Sequence, residues 1–292
     1  MHATTRTTYG IIFACLATLL FAFQDATTKQ LLTNHSVWFI LMVRYWTHFI
    51  VACCWSQIAT GTISTALKSK SIPLQLLRGL FLLSEIALIT MAFSMLGLAD
   101  VTSILMAYPL LVTALAVVLL KESIGWRRIL ALLMGMLGLL VILQPTGNVW
   151  GLGGLLALGA SLSFATYQIL TRMVSRHDSP LTSYFYVGAF GLIVTTIVGL
   201  QHLPNWGDVD ILLLAAVCLL SAAAHYSIVK ALSLAEAIVI QPFNYLQLVW
   251  SIPIGLIVFG DIPLWTTLVG ALMVVSAGLF SLSRAKSKAI KD

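Results

Sequence analysis

Asp25, Arg44 and Glu85 are charged residues set inside long apolar runs, and they are the first residues of this chain that could do chemistry. Asp25 stands with Gln24, Thr28 and Lys29 near the end of GIIFACLATLLFAFQDATTKQLL, residues 10–32. Arg44 lies in the next run, with His48 at i+4 on the same face. Read as consecutive helices running out and back, the two runs put Asp25 and Arg44 at similar depth, so the two could pair. Such a pair is either a buried ion pair fixing two helices or a charged element of a gate or proton-linked step. Glu85 sits mid-run with no basic residue obviously at its depth. An ionised acid there needs water or a cationic group, because intramembrane polar groups must be partnered or hydrated. Glu85 is therefore placed in a central cavity, and Arg78 is expected to snorkel to an interface or bind lipid headgroups.

Amides supply the second set. Gln241, Asn244, Gln247 and Ser251 recur mainly at i, i+3 beside Tyr245. They either face a cavity or join neighbouring helices by hydrogen bonds. Pro242 and Pro253 free backbone carbonyls, and Tyr108-Pro109 is a related feature. Ser161, Tyr167 and Gln168 form a further polar group, and Ser221 precedes His225 at i+4. A histidine can titrate near physiological pH, so Asp25, Arg44 and His225 are the candidates for gating or proton coupling. Glu85, Tyr108, Gln168, Asn244 and Gln247 are the candidates for substrate contact. No HExxH, paired-Asp or GxSxG motif is present, which argues against an enzyme. No ring-forming repeat of one residue type argues for a channel. Cys15, Cys53, Cys54 and Cys218 lack metal-ligand spacing and are expected to be free thiols packed as small hydrophobes. Neither a metal nor a cofactor is expected.

The elements that must hold these groups are membrane helices. The chain has 292 residues, 60% hydrophobic and 9% charged, where a soluble domain is about a quarter charged. Mean hydropathy is +0.99. With roughly 20 apolar residues per span, ten segments can be cut: 9–31, 37–58, 73–96, 100–120, 127–144, 150–171, 181–201, 209–229, 236–259 and 264–283. A cytoplasmic N-terminus puts every Lys and Arg except Lys29, Arg44 and Arg78 on the inner side, and Asp100, Asp208, Asp210 and Asp261 on the outer. Both termini are then cytoplasmic, and the net charge of +6 reflects topology rather than nucleic-acid binding.

The chain also repeats. At an offset of 143, Phe21 meets Phe164, Asp25 meets Gln168, Lys29 meets Arg172 and Ser36 meets Ser179. At an offset of 139, Glu122 meets Asp261 and Trp126 meets Trp265. Residues 1–148 and 149–292 thus read as two repeats, and an odd five helices in each makes them inverted. Gly153, Ala157, Ser161 and Ala165, with Gly135, Gly138 and Gly270, read as helix packing. Tyr9, Trp38, Trp126, Trp150 and Trp265 read as interface anchors.

These features resemble the drug/metabolite transporter superfamily, and within it the EamA family of ten-helix bacterial carriers. The likeness rests on the duplicated units, Arg78-Gly79, the Pro109 segment ending in Lys121-Glu122, Gly125-Trp126-Arg127-Arg128, and residues 242–247 followed by Phe259-Gly260-Asp261. Asp261 stands where the family more often has Glu. The resemblance implies a cavity between the halves, lined by the first, third, fourth, sixth, eighth and ninth spans. It implies an inner-membrane secondary transporter that moves a small organic metabolite by alternating access. A proton-coupled exporter of drugs or toxic metabolites is the alternative. The partners are the lipid bilayer and that solute, with room for a homodimer.

Overall fold

In the computed structural model the described residues are 3–96, 98–143 and 151–260, with a few positions between 265 and 276. All their regular structure is helical. The helices are α1 (Ala3–Leu31), α2 (Val37–Thr60), α3 (Ile72–Phe93), α4 (Leu98–Leu105), α5 (Tyr108–Leu115), α6 (Trp126–Leu143), α7 (Leu152–Val174), α8 (Pro180–Gly199), α9 (Ile211–Leu234), α10 (Ala237–Asn244) and α11 (Leu246–Phe259). Seven stretches are long and apolar enough to cross a membrane, α10 and α11 together forming one of them. Large apolar side chains such as Ile12, Ile50, Leu155, Ile197 and Leu212 stand exposed along these helices, as lipid-facing residues do. The chain is thus a multi-pass membrane protein. Most of the expected tenth span, 264–283, lies outside the described residues, as do Asp261, Trp150 and the basic tail.

Local chemistry sets the helix ends. Ser36 and Ser179 each cap a helix, accepting from the N–H of Phe39 (3.2 Å) and of Thr182 (3.0 Å). Asp210 caps α9 through Leu213 N–H at 2.9 Å. Between α7 and α8, Asp178 accepts from Lys70 N–H, Ser69 and Gln75. Burial pushes its carboxyl up, but these donors outweigh it and hold the group below the ordinary carboxylate range.

Two spans expected to be continuous are broken. The fourth stops at Leu105 and restarts at Tyr108 as α5, which ends in a π-helical turn, Ala116–Leu120. Pro109 causes this: it cannot donate to the Leu105 carbonyl and fits only the first turn of a new helix. The ninth breaks at Tyr245, three residues after Pro242. Each broken span then ends on a left-handed residue, Lys121 (φ 55°) and Gly260 (φ 71°). Lysine pays there for its Cβ and glycine does not. Lys121→Gly is expected to raise stability by about 1 kcal/mol, and Gly260→Ala to lower it by about as much. Thermal unfolding in detergent reads both, and a destabilised Lys121→Gly would refute the strain.

The most extensive contacts are α1 on α9, α3 on α7 and α2 on α8. Close approach needs small residues. A Cβ added at Gly10 would lie 2.7 Å from Ala235 Cβ, and one at Gly153 would lie 2.9 Å from Leu96 Cγ. On α8, one at Gly188 would meet the Phe49 backbone at 3.0 Å, and one at Gly191 would fall 2.0 Å from the Tyr45 ring. Ala157, Ser161 and Ala165 are fully buried, as a packing stripe requires. Trp126, Trp265 and Tyr9 are exposed. All four cysteines are free, but Cys54 is exposed rather than packed, because it lies on the outer face of α2.

Candidate functional site

Asp25, Arg44 and Glu85 converge on one narrow interior pocket with a cavity volume of about 20 Å³. Its polar lining is Gln24 and Asp25 from α1, Arg44 from α2, Glu85 from α3, His225 from α9 and Gln247 from α11. Its apolar lining is Phe21, Ile86, Ile89, Leu105 and Phe164. The broken α4 and α11 reach the pocket at their interrupted ends, through Leu105 and Gln247, which is where unwound spans place ligand groups.

Asp25 and Arg44 share the pocket without forming an ion pair among the described residues. Asp25 Oδ1 accepts from Gln24 Nε2 at 3.1 Å, and Oδ2 accepts from Gln247 Nε2 at 2.8 Å. Arg44 turns instead to Ser221 Oγ, donating from Nε at 3.2 Å and Nη2 at 2.9 Å. Ser221 Oγ is also 3.0 Å from His48 Nε2, which can take the hydroxyl proton. Each charge thus has neutral partners that hold its direction. Glu85 makes no hydrogen bond or ion pair among the described residues, and Gln24 Oε1 is buried without a partner. His225 is also unpartnered at both nitrogens, its ring 5.0 Å from Phe21 and 5.3 Å from His48.

Other candidates fall elsewhere. Gln168, Gln241 and Asn244 form an amide chain: Asn244 Nδ2 donates to Gln241 Oε1 (2.8 Å), and Gln241 Nε2 donates to Gln168 Oε1 (3.1 Å). The chain ties α10 to α7, so of the amide stripe only Gln247 lines the pocket. Tyr108 packs edge-on against Phe164 at 4.8 Å, behind the lining. Arg78 does not reach an interface. It is fully buried, donating to Thr171 Oγ1 (3.2 Å) and the Ser183 carbonyl, with its guanidinium 5.5 Å from the Tyr167 ring. Acceptors supplied by α7 and α8 remove the need to snorkel.

Phe21, Gln24 and Phe164 also line the pocket, though none is among the candidate site residues named above. Phe21 and Phe164 occupy matching repeat positions and touch edge-on at 6.0 Å. That match was the available signal.

A bundle of membrane helices around a charged interior pocket suits a carrier of a polar solute. The sequence profile of the EamA-like transporter family matches residues 8–144 and again 151–283, and the chain belongs to that family. It is similar to a riboflavin transporter of Vibrio cholerae, 33% identical over 61% of this chain and 60% of that protein. It is also similar to an S-adenosylmethionine uptake transporter of Rickettsia prowazekii, 26% identical over 97% of this chain and 95% of that one. Human solute carrier family 35 member G1 is 24% identical over 92% of this chain and 78% of that one. A protein crystal structure at 17% identity superimposes with a TM-score of 0.75 over 97% of this chain and 98% of that one, which shows the shared fold.

Proposed function

We propose that the chain is an alternating-access secondary transporter of the bacterial inner membrane, and that its solute joins a cationic group to a planar, partly apolar body. The observation that carries the solute reading is the pocket lining: two carboxylates and one guanidinium beside the edges of Phe21 and Phe164. Asp25 has its amide donors, so Glu85 is the carboxylate left to meet a cation. Arg44 offers a counterpart to a carboxylate on the same solute. A zwitterionic sulfonium or ammonium compound with a ring system fits this set better than a neutral flavin. Uptake of S-adenosylmethionine by the Rickettsia relative supports the first class, and the Vibrio relative keeps riboflavin in the comparison.

Symmetry supports a ten-span chain of two inverted repeats, residues 1–148 and 149–292, with both termini cytoplasmic. The breaks at Met106 and Tyr245 differ by 139, as do the left-handed residues Lys121 and Gly260. α1 packs on α9, α10 and α11 just as α7 packs on α3, α4 and α5, while α2 and α8 are each other's counterpart. Repeats related in this way can exchange conformations, which is the geometric basis of alternating access.

Thermal shift of the purified protein tests the solute. At a hundredfold excess over Kd a ligand stabilises by about 2.7 kcal/mol, worth about 5 °C or more at this chain length. S-adenosylmethionine or a related zwitterion is expected to give that shift and to lose it in Glu85→Gln. A shift with riboflavin that survives Glu85→Gln would overturn the cationic reading.

A further inference from the structure

Away from the pocket, one cluster of charge joins the end of the first repeat to the second. Glu122 follows the π-helical turn and left-handed Lys121, which turn the chain towards α10. Its carboxylate accepts from the first two N–H groups of α10, Ala237 at 3.4 Å and Ile238 at 3.2 Å. It also meets Arg172 Nε, at the end of α7, at 3.3 Å. Arg172 Nη1 donates in turn to the Leu232 carbonyl in the last turn of α9, at 3.0 Å. Glu122 and Arg172 together thus join three helix ends, α7, α9 and α10, to the connector after α5. Glu122 is 9% exposed and Ala237 is fully buried.

We infer that Glu122 and Arg172 form a latch that holds the cytoplasmic mouth shut in this conformation and must part for the solute to leave or enter on that side. A helix N-terminus attracts a carboxylate strongly over its first turn only, so a small displacement of α10 breaks the cap and the ion pair together. α10 is also the segment that the amide chain ties to α7 and whose break at Tyr245 leads to Gln247 in the pocket. Opening the latch therefore moves an element continuous with the solute site. The repeat gives an independent argument. Lys29, the counterpart of Arg172 at the opposite end of the bundle, donates to the Leu96 carbonyl just beyond α3 at 3.2 Å. The same device, a cation at the end of each repeat's first helix bonded to a carbonyl at the end of its third, thus stands at both mouths.

The inference rests on the proposed topology, and sided labelling separates the two. In a protein whose four cysteines are serine, Ala237→Cys places a thiol under the latch. An impermeant maleimide is applied to inverted vesicles and to intact cells. Glu122→Gln is expected to speed labelling about tenfold in inverted vesicles alone, the population shift that losing one charge-assisted contact commands. An unchanged rate would overturn the latch. An equal rise from both faces, with a lowered melting temperature, would also overturn it, because that is a loosened fold. Faster labelling from the outer face alone would keep the latch and overturn the topology. Arg172→Gln should act alike, and the double variant should exceed neither single variant, since both break one latch; additive effects would sink the inference.

Discussion

Glu85→Gln lowers solute transport about a hundredfold while the protein inserts and folds at the wild-type level. The first half of that expectation comes from charge. A carboxylate removed from a desolvated charge pair costs about 3 kcal/mol, and roughly 1.4 kcal/mol is a factor of ten. The second half comes from the absence of any hydrogen bond or ion pair to Glu85 among the described residues. No hydrogen-bond partner is orphaned when the charge is removed, and glutamine keeps the volume. Initial uptake rates in vesicles, set against the amount of folded protein, check both. Rates within a factor of two of the wild type would remove Glu85 from solute binding.

The second large effect lies in the helix seam. Gly191→Ala is expected to destabilise the protein by about 3 kcal/mol, at the upper end of what overpacking costs. The new methyl would fall 2.0 Å from the ring of Tyr45, which is itself only 1% exposed and cannot swing aside. Thermal or denaturant unfolding reads the loss. Tyr45→Leu in the same chain should recover much of it, because it removes the ring that the methyl strikes. Full destabilisation in that double variant would place the strain elsewhere.

Much of the bundle was legible because bilayers leave so few choices. Every span must be an apolar helix, so lengths and loop charge outline the helices, and Ser36 and Ser179 announce matching caps. The burial of Asp25, Arg44, Glu85, His225 and Gln247 as candidate site residues was legible for the same reason, since each group this costly needs a partner or a cavity. Their pairing was not. Arg44 chose Ser221, from a helix far along the chain, and no spacing rule links the two. Arg78 misled because an arginine near the start of a span resembles a snorkelling one. One of its two acceptors is a backbone carbonyl on α8, invisible in side-chain pattern. Gln168 and Asn244, expected to touch the solute, belong instead to the tie between α7 and α10, because an amide serves equally as a cavity wall and as a tie between helices. The break at Met106 was hidden by Pro109 itself, which sits where a helix start tolerates it and leaves the apolar run unbroken.

The seam between α2 and α8 has a mechanical consequence. Along it the Tyr45 ring and the Met42 side chain lie against the bare backbone of Gly191 and Gly199, and the Phe49 backbone lies against Gly188. Teeth seated in notches resist sliding along the axis, because any shift short of a full helical turn drives a ring into a neighbouring side chain. They resist rotation about the seam far less. In the proposed inverted-repeat arrangement α2 and α8 are counterparts, so the axis relating the repeats would pass between them and the seam would be the fulcrum of the proposed alternating-access motion. The broken helices would then be the lever arms, moving least beside the seam and most at the ends farthest from it.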